Sequence, residues 1–317
     1  KGNKEKEQII YLLKKALQLK PDFEQAHNNL GNALKEQGDL NSAIDSYQNA
    51  IKLNPDFQNA HYNLGTALQK KGDLNSAILS YQNAIKLNPD YQEAHYNLGT
   101  ALQEKGALNS AILSFQKALQ IKPDFAQAHN NLGTALQEKG DLNSAINSYQ
   151  NAIKFNPDNQ NAHNNLGTAL QEKGDLNSAI NSYQNAIKLN PDYQEAYNNL
   201  GTALKEKGDL DSAINSYKNA IKLNPKYQEA HYNLGNALKE KGDLNSAIDS
   251  YQYAIKLNPN YQDAHNNLGN ALQKNGDLNS AINSYQNAIK LDPDYQEAHN
   301  NLGTALKEKG DLNSAIN

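Results

Sequence analysis

The sequence predicts an all-α solenoid of helix–turn–helix units, and three observations carry that prediction. The nine prolines, from Pro21 and Pro55 to Pro293, recur every 34 residues. Every glycine except Gly2 falls into one of two registers of the same period. The stretch AHNNLGTALQEKGDLNSAINSYQNAIK, residues 128–154, returns letter for letter at 162–188. Such a chain buries the apolar face of each unit against its neighbours and needs no central core. One elongated domain is therefore expected where 317 residues would otherwise suggest about two or three globular ones.

Each unit reads as two amphipathic helices. In the first, Ala26, Leu30, Ala33 and Leu34 share a face; in the second, Leu40, Ala43, Ile44, Tyr47, Ala50 and Ile51 do. Asp22 is placed to cap the first helix, and elsewhere the cap is followed by Glu at capping-box spacing, as in Asp90 and Glu93. Gly38 ends that helix, Asp39 caps the next, and Pro55 stops it. Residues 1–22 align with the second helix of a unit. Residues 23–317 form the array, with eight complete repeats from residue 24 and a ninth truncated at 317.

Composition narrows the chemistry. Without cysteine there are no disulfides, thiolate metal sites or thiol nucleophiles. Net charge is −4, and all 30 basic residues are lysines interspersed with acids, so no nucleic-acid partner is expected. No apolar run crosses a membrane and no signal peptide is visible. The chain lacks an initiator methionine and stops inside a repeat, as a fragment of a longer protein does.

The unit from Gln160 carries His163, Leu166, Gly167, Leu170, Ala179, Tyr183 and Pro191. This pattern resembles the tetratricopeptide repeat (TPR), whose signature is Trp-x2-Leu-Gly-x2-Tyr, then Ala-x3-Phe, then Pro. The departures are His for Trp in eight units, with Tyr197 in the other, and Leu for the first Tyr. The resemblance implies a right-handed superhelix with first helices lining a concave groove, and Gly167 and Ala179 allowing close helix approach. It implies protein-binding scaffolds rather than catalysis, and no nucleophile–base–oxyanion constellation recurs, so no enzyme activity is assigned.

The eight histidines occupy one register, His27 through His299. Helices roughly 8–10 Å apart cannot bring two such nitrogens within ~2 Å of one zinc, so a metal ladder is not expected. The imidazoles are expected to fill the Trp slot, partly buried and neutral. No cofactor or metal is assigned.

A polar stripe, Gln25, Asn28, Asn29, Asn32, Lys35 and Glu36, lies opposite the apolar one. Its centre is invariant: Asn29, Asn63, Asn97, Asn131, Asn165, Asn199, Asn233, Asn267 and Asn301. This column is similar to the asparagine ladder in the superhelix of O-linked N-acetylglucosamine transferase and its relatives, which implies a groove holding the main chain of an extended peptide. The plain alternative is a hydrated habit of the repeat. Members that bind chaperone C-termini use Lys and Arg at a carboxylate clamp; here there is no Arg and the first-helix starts carry Gln25, Glu93, Glu195 and their like. Tyr62, Tyr96 and Tyr232 replace Asn28 equivalents and are expected to face the groove.

Three classes of function follow. The first is a non-catalytic scaffold whose partner is a protein or extended peptide. The second is the recognition arm of a larger enzyme such as a glycosyltransferase. The third is a self-assembling protein forming head-to-tail filaments. For that homo-oligomer the candidate residues are Ile9, Tyr11 and Leu12 on the leading helix, with Ile9 in the slot of Ala43, and Leu302 and Leu306 at the other end, where the final second helix is cut short.

Overall fold

The computed structural model describes residues 2–310, with side chains from Glu5 onward. The described residues are all-α, a series of helix pairs. The chain divides into two compact units, Lys1–Pro157 and Asp158–Asn317. In the first unit, α1 (Gly2–Leu19) precedes four pairs: α2 (Glu24–Gln37) and α3 (Leu40–Leu53), α4 (Gln58–Lys71) and α5 (Leu74–Leu87), α6 (Gln92–Glu104) and α7 (Leu108–Ile121), α8 (Ala126–Glu138) and α9 (Leu142–Phe155). The second unit holds α10 (Gln160–Glu172) and α11 (Leu176–Leu189), α12 (Gln194–Glu206) and α13 (Leu210–Leu223), α14 (Gln228–Lys241) and α15 (Leu244–Leu257), α16 (Gln262–Lys274) and α17 (Leu278–Leu291), then α18 (Gln296–Lys309). The expected ninth second helix lies outside the described residues.

Each second helix packs on its own first helix and on the next first helix within the unit, and successive first helices also touch. The repeat's glycine and aromatic ring lock each pair. A Cβ on Gly167 would lie 2.6 Å from Tyr183 Cε1, and one on Gly31 would lie 2.5 Å from Tyr47. The glycine therefore makes room for the ring, and Ala179 is fully buried in the same core cluster as Tyr183. The ring is in turn almost wholly buried, at 1% exposure for Tyr183 and 0% for Phe115.

Start and stop signals divide into two groups. Asp39 caps α3 as expected, accepting from Ser42 N–H at 3.1 Å, and Gly38 closes α2 in the left-handed region at φ 95°. The first-helix caps differ from expectation. α2, α4 and α6 start after Phe23, Phe57 and Tyr91 with no side-chain cap bond, and only Asn159 caps its helix, accepting from Asn161 and Ala162 N–H. The reason lies in the turn: Phe57 N–H donates to the Asn54 carbonyl, and Asp56 N–H to Asn54 Oδ1, which places Asp56 inside the turn and not at the helix end.

Among the second helices, α7 lacks a cap because Ala107 stands where the others have Asp. The Ser42 hydroxyl and N–H hold the Asp39 carboxylate below its usual range, and six other caps behave alike. Ala107→Asp is expected to raise the melting temperature at neutral pH. A depressed carboxylate pKa stabilises above the unfolded value of about 4, so the gain must vanish as pH falls through the folded value. Equal melting curves for the two proteins at pH 7 contradict the cap assignment.

Candidate binding face on the first helices

The first helices stand side by side within each unit, and their outward sides make one continuous polar face per unit. Its centre is the asparagine column, and the structure gives this column a structural bond. Asn63 Nδ2 donates to Asn28 Oδ1 at 3.0 Å, Asn199 to Asn164 at 3.2 Å, Asn233 to Asn198 at 3.0 Å and Asn301 to Asn266 at 3.1 Å. Where the acceptor position carries tyrosine, the hydroxyl oxygen takes over: Asn97 donates to Tyr62 and Asn131 to Tyr96, both at 3.0 Å, and Asn267 to Tyr232 at 2.8 Å. Asn29 is exposed and accepts from Gln25, and Asn165 is half-buried.

Two expectations change here. Asn28, Asn164, Asn198 and Asn266 are buried, not part of the exposed stripe, because the next repeat's asparagine covers them. Tyr62, Tyr96 and Tyr232 do not stand free in a groove. Each ring packs against the aromatic of its own second helix at 5.9–6.0 Å and against the aromatic opening the next repeat at 4.9 Å. The sequence held a clue: only Asn and Tyr occur at this register, and each brings an oxygen that can accept.

A second ladder, missed at the sequence level, runs beside the first. The Tyr183 hydroxyl donates to Gln171 Oε1 at 2.9 Å, and Gln171 Nε2 donates to Glu206 Oε1 of the next repeat at 2.8 Å. Gln69 to Glu104, Gln103 to Glu138 and Gln273 to Glu308 repeat the rung at 2.8–2.9 Å. Burial pushes the Tyr183 hydroxyl up to about 12, so it remains a donor across the physiological range. Among the described residues no buried side-chain nitrogen or oxygen lacks a partner.

The histidines serve the turns. Nε2 of His27, His61, His95, His129, His231, His265 and His299 lies 2.9–3.1 Å from the carbonyl of the proline six residues earlier. A carbonyl only accepts, so each Nε2 carries its proton and ties the first helix to the inter-repeat turn. No group of three or more metal-ligating side chains occurs among the described residues. Burial varies along the column, from the exposed His299 to the buried His231, which the Tyr253 ring covers at 4.4 Å. Desolvation holds the His231 pKa below its usual value. The neutral ring is thus favoured in the folded state; stability is complete above about pH 6.5 and falls as pH drops from there through the folded value. NMR titration should place His231 below 6.5 and show it rising in Tyr253→Asn, which supplies the residue that the neighbouring repeats carry. An unmoved titration would show that Tyr253 is not the cause.

The end residues separate. Ile9, Tyr11 and Leu12 are 50–59% exposed, and Ile9 and Leu12 border an open pocket of about 460 Å³ between α1 and α2. Ile9, aligned with Ala43, is 50% exposed, whereas Ala43 is fully buried. Leu306, by contrast, is not presented outward: it is buried in the core with Ile282 and Tyr285, and Leu302 packs partly buried against the same cluster.

A family description, TPR repeat, matches residues 7–38, 31–72, 67–106, 101–140, 133–174, 168–208, 201–242, 235–276 and 274–310. The chain belongs to the tetratricopeptide repeat family. Among solved structures, this TPR chain is similar to the APC/C hetero-tetramer Cut9–Hcn1, at TM-score 0.60 and 19% identity over 90% of this chain and 56% of that one. It is similar to pilF of Pseudomonas aeruginosa at TM-score 0.58 and 20% identity, covering 66% and 95%. It also resembles YrrB, described as a TPR protein with an unusual peptide-binding site, at TM-score 0.50 and 22% identity, covering 58% and 95%. At these identities the likeness shows the TPR fold. No curated protein matches the chain in sequence.

Proposed function

We propose that this TPR chain is a non-catalytic scaffold that holds an extended protein segment along its first-helix face, with the Asn29-register amides bonding the segment's main chain. The observation that carries the reading is the half-committed state of four of these amides, Asn63, Asn97, Asn199 and Asn233, whereas Asn267 and Asn301 already donate both amide hydrogens within the array. Asn199 and Asn233 each spend one amide hydrogen on the preceding repeat, which fixes the plane of the carboxamide. The second hydrogen and Oδ1 are left to donate to and accept from one peptide group. Amides held in place before binding lose little further freedom on meeting a ligand. The neighbour YrrB, by its description, has a peptide-binding site, which is consistent with this use of the fold.

The test is fluorescence anisotropy with a library of extended peptides against the wild type and Asn199→Ala/Asn233→Ala. Each lost hydrogen bond contributes about 0.5–1.5 kcal/mol, so the double variant should bind about tenfold or more weakly. Because Asn164 and Asn198 also lose their donors, binding is measured well below the variant's melting temperature. Unchanged affinity in the double variant, or no peptide bound by the wild type, rejects the asparagine reading.

A further inference from the structure

The Gln→Glu ladder is interrupted in the second unit. Where five other rungs place Gln and Glu on successive first helices, from Gln69 and Glu104 to Gln273 and Glu308, α14 and α16 place Lys239 and Lys274, two like charges at a rung position. Lys205 of α12 occupies the glutamine position one repeat earlier. Together with Asn236, Asn270 and the single carboxylate of Glu240, these lysines line an open pocket of about 440 Å³ on the first-helix face.

The three ammonium groups are poorly neutralised. Lys239 donates only to the neutral Asn267 Oδ1, at 3.3 Å. Lys205 and Lys274 have no hydrogen bond or ion pair among the described residues, where the ion pair is Lys241 with Asp211 outside this pocket. Burial lowers the Lys239 pKa, with Lys205 and Lys274 lowering it further and Glu297 and Glu240 opposing them. Glu297 itself accepts from Asn266 at 3.2 Å. A Gln–Glu rung at this place would be better paired, as Gln273 and Glu308 show one repeat later. Like charges gathered around a polar, open pocket cost stability when empty and favour an anion when filled. Lys35 and Lys70 repeat the like-charge rung in the first unit, although there Lys35 donates to Thr66 Oγ1 at 3.2 Å and the pocket beside Lys70 does not reach Lys35.

We infer that the Lys205–Lys239–Lys274 pocket binds carboxylate side chains of an acidic peptide segment lying on the first-helix face of the second unit. Its position differs from the starts of α12, α14 and α16, where Glu195, Glu229 and Asp263 stand, so the three helices begin with acids and end with Lys205, Lys239 and Lys274 beside Glu206 and Glu240. A segment lying between them is oriented by this polarity, with its acidic side chains toward the lysines.

The inference rests on the scaffold reading, and the experiment separates the two. The probes are a fluorescein-labelled Glu-rich extended peptide and its Gln-substituted counterpart, each titrated with the full chain and with Lys239→Gln/Lys274→Glu. That variant installs a rung the chain already uses, so it should fold and melt no lower than the wild type. The Glu-rich peptide is expected to bind the wild type about tenfold more tightly than the Gln version, and to lose that advantage in the variant and at high salt. If both peptides bind the wild type equally, the lysine pocket is refuted while the scaffold stands. An advantage that persists in the variant likewise removes these lysines from recognition. If no peptide binds, both readings fall. Sodium phosphate displacing the Glu-rich peptide where chloride of equal ionic strength does not would assign the pocket to small phosphate anions and overturn the carboxylate assignment.

Discussion

Tyr183→Ala is expected to destabilise its repeat by about 3–5 kcal/mol, the usual cost of deleting a buried aromatic. The ring is 1% exposed, lies against Gly167, and belongs to a core cluster with Ala179, Leu200 and Ala203. The void would close poorly, because two of those three neighbours are short alanines on rigid helices. The damage should stay local, since each repeat is coupled chiefly to its neighbours. Amide hydrogen exchange is the appropriate readout: α10, α11 and α12 should lose protection while α16 and α17 keep theirs. Tyr183→Phe should cost only about 1 kcal/mol, the contribution of the hydroxyl's bond to Gln171. Phe115 stands fully buried at the same register of the first unit, so the site accepts the smaller ring. Uniform loss of protection across the second unit, or equal effects of the two substitutions, would contradict this account.

Opposite signs are expected for one substitution in two backgrounds. In Gly201→Ala the new Cβ would sit 2.7 Å from Tyr217 Cε1, and that ring, at 0% exposure, has nowhere to swing. Overpacking of this kind costs about 1–3 kcal/mol, more than the roughly 0.8–1 kcal/mol that alanine gains over glycine in a helix. In a Tyr217→Ala background the ring is gone, so Gly201→Ala should gain the helical preference without the clash. Urea denaturation followed by circular dichroism should therefore show the added alanine lowering the midpoint in the wild type and raising it in the Tyr217→Ala background. Shifts of the same sign would mean that the ring does not govern the glycine.

These contrasts show why some of the molecule was legible in its sequence. A 34-residue period, apolar positions at helical spacing, and punctuation such as Gly38, Asp39 and Pro55 are local signals. They act within one or two helical turns, and the structure reproduces them at those residues. The asparagine column was legible as a column because repetition itself displays it. Its bond to the preceding repeat was not, since Asn63 and Asn28 are 35 residues apart and either could have faced water.

The sequence by itself determined the repeat, its paired helices and the apolar face of each, because these follow from backbone geometry and the burial of periodic side chains. Only the tertiary structure decided which polar residues are bonded across repeats and which are not. Packing brings Asn199 to Asn164 and Gln171 to Glu206, and the same packing sets Lys239 beside Lys274. Hydrogen bonds and charge interactions act over a few ångströms between atoms of successive repeats, and that proximity exists only after the helices stack.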